Sequence, residues 1–289
     1  MPELAEIRLG TSSFTAAGWE GSFYPRGMQS ADRLTFYAGH FNTVEIDSTF
    51  YACPSVRTVE GWAAKTPADF IFSVKVPQTV THEKVLVGCD PEMKQFVEAM
   101  GILGKKLGPM VLQFPFFGKE AFKSQTDFLD RLIPFLKKLP QGYMFAVEIR
   151  NREWLDAQFA GMLRDFKVAL VLQDQSRMPF PNELAKQFDP ITADWMYIRW
   201  LGDRKGIERI TTTWDKTVID RTDEIRSWVD VCYETVRRGV KVFGYANNHY
   251  GGHAPATIRQ FRELWQGKGL PEFGKAIPEP SHERTLFDL

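Results

Sequence analysis

The sequence predicts an α/β protein in which eight parallel strands, alternating with helical segments, close into a single (β/α)8 barrel. Short apolar segments recur along the 289 residues with helical patterns between them, and eight such segments are present. Their spacing is near the roughly 30 residues of one strand and helix unit. An open doubly wound sheet usually has fewer strands and a glycine-rich ligand loop, but no GxGxxG follows any of the eight segments. Closure into a barrel is therefore the favoured arrangement.

The eight strands are predicted from runs rich in apolar and β-branched residues. They are Ile7–Ser12, Thr43–Asp47, Phe70–Val76, Met110–Phe114, Met144–Arg150, Val168–Asp174, Met196–Leu201 and Lys241–Asn247.

Helix signals lie between most of these strands. Ser55 and Ser124 each precede an apolar-periodic segment, in the position of a residue that caps a helix N-terminus. The segment 176–194 contains three Pro residues, so we expect a long loop there. The barrel domain is predicted to cover residues 1–270, and residues 271–289, which contain three more Pro, form an irregular tail.

Composition excludes several classes of protein. The 36 basic and 36 acidic side chains cancel, which argues against extended tracking of a phosphate backbone as the main activity. Apolar runs reach five residues, as at 168–172, far short of the roughly 20 that span a bilayer. The three cysteines form no CxxC pair and fit free thiols. The N-terminal residues show no secretory pattern, so we expect a cytoplasmic protein without a membrane partner.

Alternation of side chains along the strands separates helix-facing from interior residues. In the second strand Val44 and Ile46 belong on the helix side, which turns Glu45 and Asp47 inward. The same parity predicts further polar interior residues, namely Ser73, Lys75, Gln113, Glu148, Arg150, Tyr197 and Arg199. Strands one, six and eight are ambiguous, but their C-terminal ends carry Thr11, Asp174, Asn247 and Asn248 in any register.

This pattern predicts an interior cluster of three cations and three carboxylates near the C-terminal ends of the strands. Buried ions cost several kcal/mol each unless they are paired, so a purely structural core would not need them. One interpretation is a network of ion pairs that fixes strand register. We favour a functional site, because barrel enzymes keep their sites at this end and such cations suit an anionic ligand.

A series of short motifs resembles the YecE-like family, also called domain of unknown function 72. The resemblance extends from the first strand to the last helix and implies a TIM-type barrel, but no particular reaction. The motifs, in order, are GTSSF at 10–14, WEGSFYP at 19–25, TVEIDSTFY at 43–51, FSVKVP at 72–77, TH at 81–82, Gln113 with Pro115, AVEIR at 146–150 with Trp154, YIRWLG at 197–202, and NN at 247–248.

The sequence departs from the family pattern at three positions. Asn151 and Leu201 stand where the resemblance implies frequent histidines, and Phe116 stands where it implies a second Pro. Any mechanism that needs those two histidines as ligands or proton carriers is therefore not expected here.

The candidate catalytic residues are Glu45 and Glu148 as acid and base, Lys75 as an electrophile or a desolvated base, and His82 as an assisting proton carrier. The alternative for Lys75 is a salt bridge with one of the two glutamates. Arg150 and Arg199 are predicted to bind an anionic group in bidentate fashion. The remaining candidate binding residues are Gln113, Thr11, Tyr51, Trp19, Asp174, Asn247 and Asn248.

Three functions remain open from the sequence. The first is an enzyme, a hydrolase or lyase, that binds a small anionic molecule, of which phosphorylated and sugar-like compounds are examples, without a cofactor. The second is metal-dependent phosphodiester cleavage on nucleic acid, with Glu45, His82, Glu148 and Asp174 converging on a divalent ion; balanced charge and few histidines count against it. The third is a binding protein without turnover. No signal in the sequence bears on oligomeric state.

Overall fold

The computed structural model describes residues 4–278 and contains one eight-stranded parallel sheet that forms a barrel. Neighbouring strands follow the order β1-β8-β7-β6-β5-β4-β3-β2, and β1 lies against β2. The predicted (β/α)8 fold is confirmed. The strands are β1 Ile7–Thr11, β2 Thr43–Ile46, β3 Ile71–Lys75, β4 Leu107–Gln113, β5 Phe145–Glu148, β6 Ala169–Asp174, β7 Trp195–Trp200 and β8 Lys241–Ala246.

Helices surround this sheet and connect its strands. Ser55 and Ser124 cap α2 and α4 as predicted, each accepting a hydrogen bond from a backbone N–H of the first turn. The segment 176–194 contains a single helical turn among otherwise irregular backbone. The α-helices are α1 Arg33–His40, α2 Val56–Ala64, α3 Asp90–Gly101, α4 Gln125–Lys138, α5 Ala157–Asp165, α6 Pro181–Leu184, α7 Arg204–Glu208, α8 Thr222–Arg237, α9 Asn248–Gly251 and α10 Ala254–Gly267.

A glycine allows β1 to approach β2 where the barrel closes. A Cβ atom placed on Gly10 would lie 2.3 Å from the carbonyl oxygen of Thr43, closer than any side chain permits. The glycine therefore provides the close backbone approach at this seam.

Apolar side chains pack on both faces of the sheet. The larger set lies between the strands and the helices. The smaller set fills the barrel interior and consists of Val111, Ala146, Ala169, Val171, Trp195, Tyr197, Phe243 and Tyr245. Along β4, β5 and β7 the next inward positions are polar or charged, so the apolar core gives way to polar residues at the C-terminal end.

Residues 271–278 carry neither helix nor strand, and positions 279–289 of the predicted tail lie outside the described residues. No helix in the described part, residues 4–278, is long and apolar enough to cross a membrane.

Candidate functional site

Arg199 lies at the centre of the charged cluster and holds two carboxylates from opposite sides of the barrel. Its Nη1 donates to Oε2 of Glu148 at 2.7 Å, and its Nη2 donates to Oε1 of Glu45 at 2.8 Å. All three side chains are buried, and neither glutamate has any exposed surface. Strands β2, β5 and β7 therefore converge on one guanidinium group, as their inward parity predicts.

Arg150 extends this network toward solvent. Its Nη2 pairs with Oε1 of Glu148, and its Nη1 donates to Oε1 of Gln175 at 2.5 Å. Gln175 in turn donates to Gln173, which donates to the carbonyl of Ile149 at 2.8 Å. Because the Arg150 side chain keeps 24% of its surface exposed, the network reaches the mouth of the barrel.

Tyr197 joins the charged cluster to the apolar interior beneath it. Its ring belongs to the interior apolar set, while its hydroxyl lies 2.7 Å from Oε2 of Glu45 and 2.6 Å from the hydroxyl of Ser73. Burial, and then the charge of Glu45, raise the pKa of Tyr197 well above its usual value, so the phenol stays protonated and donates to the carboxylate. Glu45 thus has a hydrogen-bond donor on each oxygen.

Lys75 is the buried cation of the site without a direct partner. Its side chain extends from the end of β3, and the residue is only 8% exposed. Among the described residues, Nζ of Lys75 forms no ion pair and donates no hydrogen bond; it lies 4.1 Å from the centroid of the Phe50 ring. A buried ammonium that rests on an aromatic face gains some attraction but lacks an acceptor.

The position of Phe50 beside Lys75 follows from local hydrogen bonds. The short 3-10 helix Asp47–Phe50 follows β2, and Thr49 within it bonds both backbone groups of Lys75. Its hydroxyl donates to the Lys75 carbonyl at 2.8 Å and accepts from the Lys75 N–H at 3.0 Å. These bonds fix the aromatic ring next to the ammonium group.

His82 and Asp47 flank the same position. His82 lies in the π-helical turn Thr79–Glu83 after β3, and its ring contacts the Phe50 ring at a centroid distance of 4.8 Å. Burial, and then the charges of Lys75 and Arg150, lower the pKa of His82. Burial, and then Glu45, raise the pKa of Asp47. Each shift is in the direction that favours the neutral form of the side chain.

The surrounding charges shift the pKa values of Glu148 and Lys75 in ways that give the two residues different protonation behaviour. Burial opposes the charge of Glu148, but Arg150 and Arg199 outweigh it and lower its pKa to about 2. Burial, and then repulsion from Arg199, lower the pKa of Lys75 to about 8, despite attraction to Glu45, Glu148 and Asp47. Glu148 is therefore a fixed anion at neutral pH, whereas Lys75 lies near the point of losing its proton.

Asp174 lies outside this cluster, on the helix-facing side of β6. Its Oδ2 accepts hydrogen bonds of 2.7 Å from Nε1 of Trp228 on α8 and from the hydroxyl of Tyr250 on α9. Since Val171 faces the interior, parity turns Asp174 outward. The structure thus does not bring Asp174 to the other predicted site residues, and the convergence of four metal ligands expected from the sequence does not form.

Four further candidates have structural partners. Trp19 is 1% exposed and donates from Nε1 to Oδ1 of Asn248 at 3.1 Å. Asn248 also accepts from the N–H of Ala254, while Asn247 caps α9. The Thr11 hydroxyl, which also donates to a nearby backbone carbonyl, lies 2.8 Å from the Tyr37 hydroxyl on α1. Trp19 is therefore buried among loop and helix residues rather than presented as a stacking surface.

Tyr51 and Gln113 remain at the mouth. Tyr51 follows the 3-10 helix after β2 and is 72% exposed. Gln113 is half-buried at the end of β4, in register with Glu148. Phe116, which replaces the Pro implied by the family resemblance, is 64% exposed in the loop after β4. Gln113 therefore lies beside the charged cluster, and Tyr51 and Phe116 are exposed in the segments that follow β2 and β4.

Sequence reasoning did not assign site roles to Phe50, Gln173, Gln175 or Asn151. Gln173 lies on a strand whose parity the pattern left open, and Phe50 reaches Lys75 only through the folding of the loop after β2. Asn151 is buried, and its side-chain amide pairs with both backbone groups of Phe117 at 2.9 Å. Where the family resemblance implies a histidine, this chain therefore has Asn151, whose amide holds the loop after β4 through two hydrogen bonds.

No group of three or more His, Cys, Asp or Glu side chains between residues 4 and 278 is arranged to hold a metal ion. The physical reason is visible in the cluster itself. Both glutamates already accept hydrogen bonds from Arg199, and cations adjacent to the carboxylates oppose a further positive charge.

Several known proteins resemble this chain. It is 34% identical to the UPF0759 protein YecE of Escherichia coli strain K12 over 122 residues, which cover 42% of each chain. It is 31% identical to the UPF0759 protein YunF of Bacillus subtilis strain 168 over 150 residues, which cover 49% of this chain and 51% of that protein. The matched part thus spans about half of these curated relatives or less, 42% of YecE and 51% of YunF.

Solved structures share the whole barrel. A DUF72 family protein from Thermotoga maritima superposes with a TM-score of 0.70 at 26% identity, covering 90% of this chain and 99% of that one. A DUF72 family protein from Enterococcus faecalis shares the fold, with a TM-score of 0.64 at 22% identity over 91% of this chain and 98% of that one. Because residues 8–282 also match the family described as "Protein of unknown function DUF72", the chain belongs to the DUF72 family.

Proposed function

We propose that this protein is a lyase that binds a small anionic molecule at the mouth of the barrel and uses Lys75 as its proton carrier. The observation that carries the proposal is the buried Lys75 ammonium without a direct anionic partner, beside a network in which Arg199 and Arg150 pair with Glu45 and Glu148. Glu45, Arg199, Glu148 and Arg150 alternate in sign and sum to zero. An anion at the mouth would give Lys75 the partner it lacks.

Arg150 is the second anchor for such an anion. It is partly exposed, and its buried Nε has no hydrogen-bond partner within residues 4–278. A phosphate or carboxylate beside Arg150 and Lys75 would receive charge-assisted hydrogen bonds from both. The half-buried Gln113 amide lies on the neighbouring strand and would add a neutral donor.

The pairing of the carboxylates favours a lyase over a hydrolase. Hydrolysis by paired carboxylates needs one of them protonated as a general acid. Glu148, with a pKa of about 2, is a poor acid at neutral pH, and Glu45 is bound by Arg199 and Tyr197. Lys75 instead has a pKa of about 8, suited to removing a proton next to a carbonyl or carboxylate. The two glutamates then serve to hold Arg199 and to stabilise charge.

The proposal is tested by ligand stabilisation followed by turnover. Inorganic phosphate and a panel of phosphorylated and carboxylated metabolites are screened for raised melting temperature, and compounds that bind are then assayed for product formation. Lys75→Met and Arg150→Gln are each expected to weaken binding about 10- to 100-fold, since each removes a charged donor. Arg152→Gln removes an exposed arginine beside the site and serves as the control.

The pH profile of turnover is a further readout. Lys75 must be neutral to accept a proton, and the pKa of about 8 is that of the protein without ligand, so kcat/KM is expected to rise with pH through about 8. The groups that set this value are Glu45, Asp47 and Glu148, which attract the ammonium, and Arg199, which repels it; the charge of Lys75 in turn acts on His82. Binding without any turnover would support a binding protein instead, and equal binding by wild type and both variants would contradict the proposed site.

A further inference from the structure

We propose that the Lys75 amine forms an imine with a carbonyl group of the substrate, so that the substrate class is small anionic aldehydes, ketones and oxo acids. This inference rests on the proposed function, in which the same site binds an anion. In this form of the reaction Nζ of Lys75 bonds to the substrate carbon and does not itself accept the substrate proton.

The surroundings of Nζ favour a nucleophile over a structural cation. A structural lysine in this protein has its charge satisfied: Lys106 donates to the carbonyls of Ala63 and Thr66 at 2.6 and 2.7 Å. Lys75 is more deeply buried, yet its Nζ contacts an aromatic face and has no acceptor within residues 4–278. Removing its proton breaks no hydrogen bond to the protein.

A larger fraction of Lys75 is in the neutral amine form at neutral pH than is usual for a lysine. With a pKa of about 8, Lys75 holds about two orders of magnitude more neutral amine at pH 7 than an ordinary lysine. Burial and the positive charge of Arg199 produce this shift, and desolvation next to another cation is a recognised way to activate a lysine for imine formation.

Neighbouring groups supply the proton transfers that the reaction needs. The Nζ lone pair attacks the carbonyl carbon; the nitrogen then releases one proton and the carbonyl oxygen takes up one, which gives a neutral carbinolamine. A second proton converts that hydroxyl into water, which leaves as the carbon–nitrogen double bond forms. His82 contacts the ring on which Lys75 rests, and Asp47 begins the 3-10 helix that ends at that ring. We assign the proton transfers to these two groups, whose pKa values burial shifts toward the neutral form.

The buried anions would stabilise the product. An iminium ion retains the positive charge that Lys75 carries as an ammonium, so the buried Glu45 and Glu148 continue to attract it. The anionic group of the substrate would lie toward Arg150. A molecule with a carbonyl carbon one or two bonds from a carboxylate or phosphate ester satisfies both requirements.

Borohydride trapping tests the imine directly. The full chain is incubated with pyruvate or with dihydroxyacetone phosphate, sodium borohydride is added, and the protein is digested for mass spectrometry. Hydride adds to the imine carbon and leaves a secondary amine whose mass exceeds that of lysine by the carbonyl compound less one oxygen atom. We expect this adduct at Lys75 in large excess over the exposed Lys186 and Lys205, and less adduct with acetone, which lacks the anionic group.

Two variants separate the imine from the binding proposal. Lys75→Arg keeps the positive charge but cannot form an imine, so it should lose the adduct while retaining anion-induced stabilisation. Arg150→Gln should keep the amine and reduce trapping with pyruvate more than with acetone. A wild-type protein that is stabilised by these anions but shows no adduct at Lys75 would overturn the imine and leave the binding proposal intact. A protein that neither binds nor traps them would overturn both.

Circular dichroism and thermal melting establish that each variant is folded before trapping is compared. If Lys75→Arg is unfolded, Lys75→Met provides the same test of the adduct. Adducts distributed evenly over surface lysines in wild type would contradict a site at Lys75.

Discussion

Two carboxylates at the C-terminal ends of adjacent strands, Glu148 on β5 and Asp174 on β6, differ in what surrounds them. Glu148 faces the barrel interior and is held by two guanidinium groups, and its pKa falls to about 2. Asp174 faces the helices and is held by an indole N–H and a phenol, and its pKa is raised because burial outweighs these neutral donors. Charged donors lower the pKa of a buried acid, whereas the neutral donors at Asp174 do not offset the effect of burial.

Glu148 belongs to a charged site, whereas Asp174 joins a strand to two helices. Inside the barrel the opposite charges keep one another ionised and leave Lys75 as the cation without a direct partner. On the helix side Asp174 joins β6 to α8 and α9 through neutral hydrogen bonds. Position at the end of a barrel strand therefore does not by itself make a polar residue part of the site.

The largest loss of stability is expected from removing the Arg199 guanidinium, which binds both buried glutamates. Arg199→Met leaves Glu45 and Glu148 buried with fewer compensating charges, so it should lower the free energy of unfolding by about 3 to 5 kcal/mol. Chemical denaturation at neutral pH measures this loss. Replacing both glutamates with Gln in the Arg199→Met background should recover part of it, and Arg152→Met, at an exposed ion pair, should change little. An unchanged stability in Arg199→Met would contradict the interior network.

A smaller loss of stability, which depends on pH, is expected when Glu148 is replaced. Its folded pKa of about 2 lies below the usual 4.5, so its ionised form contributes stability that is fully present above pH 4.5 and is lost as pH falls toward 2. Glu148→Gln should lose about 2 to 3 kcal/mol at neutral pH and little at acidic pH. Denaturation from pH 7 to pH 3 measures the difference between the two proteins. Glu183→Gln, at an exposed ion pair, should show no such dependence.

The smallest effect, with the opposite pH dependence, is expected at Asp174. Its folded pKa is raised above the usual 3.8, so its contribution is fully present below that value and declines as pH rises through the folded pKa. Asp174→Asn keeps an oxygen acceptor for Trp228 and Tyr250 and should change stability by less than about 1 kcal/mol at neutral pH. Relative to Asp174→Asn, wild type should become less stable as pH increases from 3 to 7. A loss of several kcal/mol in this variant would show that Asp174 acts as a required anion.

Much of the barrel could be predicted because its pattern is local. Eight apolar segments at strand length, with capping residues such as Ser55 and Ser124 between them, specify strands and helices without knowledge of tertiary contacts. The inward direction of Glu45, Glu148 and Arg199 followed from alternation along clearly amphipathic strands. On β6 nearly every residue is apolar, so alternation gave no direction for Asp174.

The eight-strand alternation and the charged set near the carboxyl ends of the strands follow from the amino-acid pattern, since both depend on periodicity within single segments. Only the tertiary structure decided how those charges pair, because the distances that join Arg199 to two glutamates, and that leave Lys75 against Phe50, connect residues far apart in the chain. Pairing sets the ionisation of each group through distance and desolvation, and neither can be read from a linear pattern.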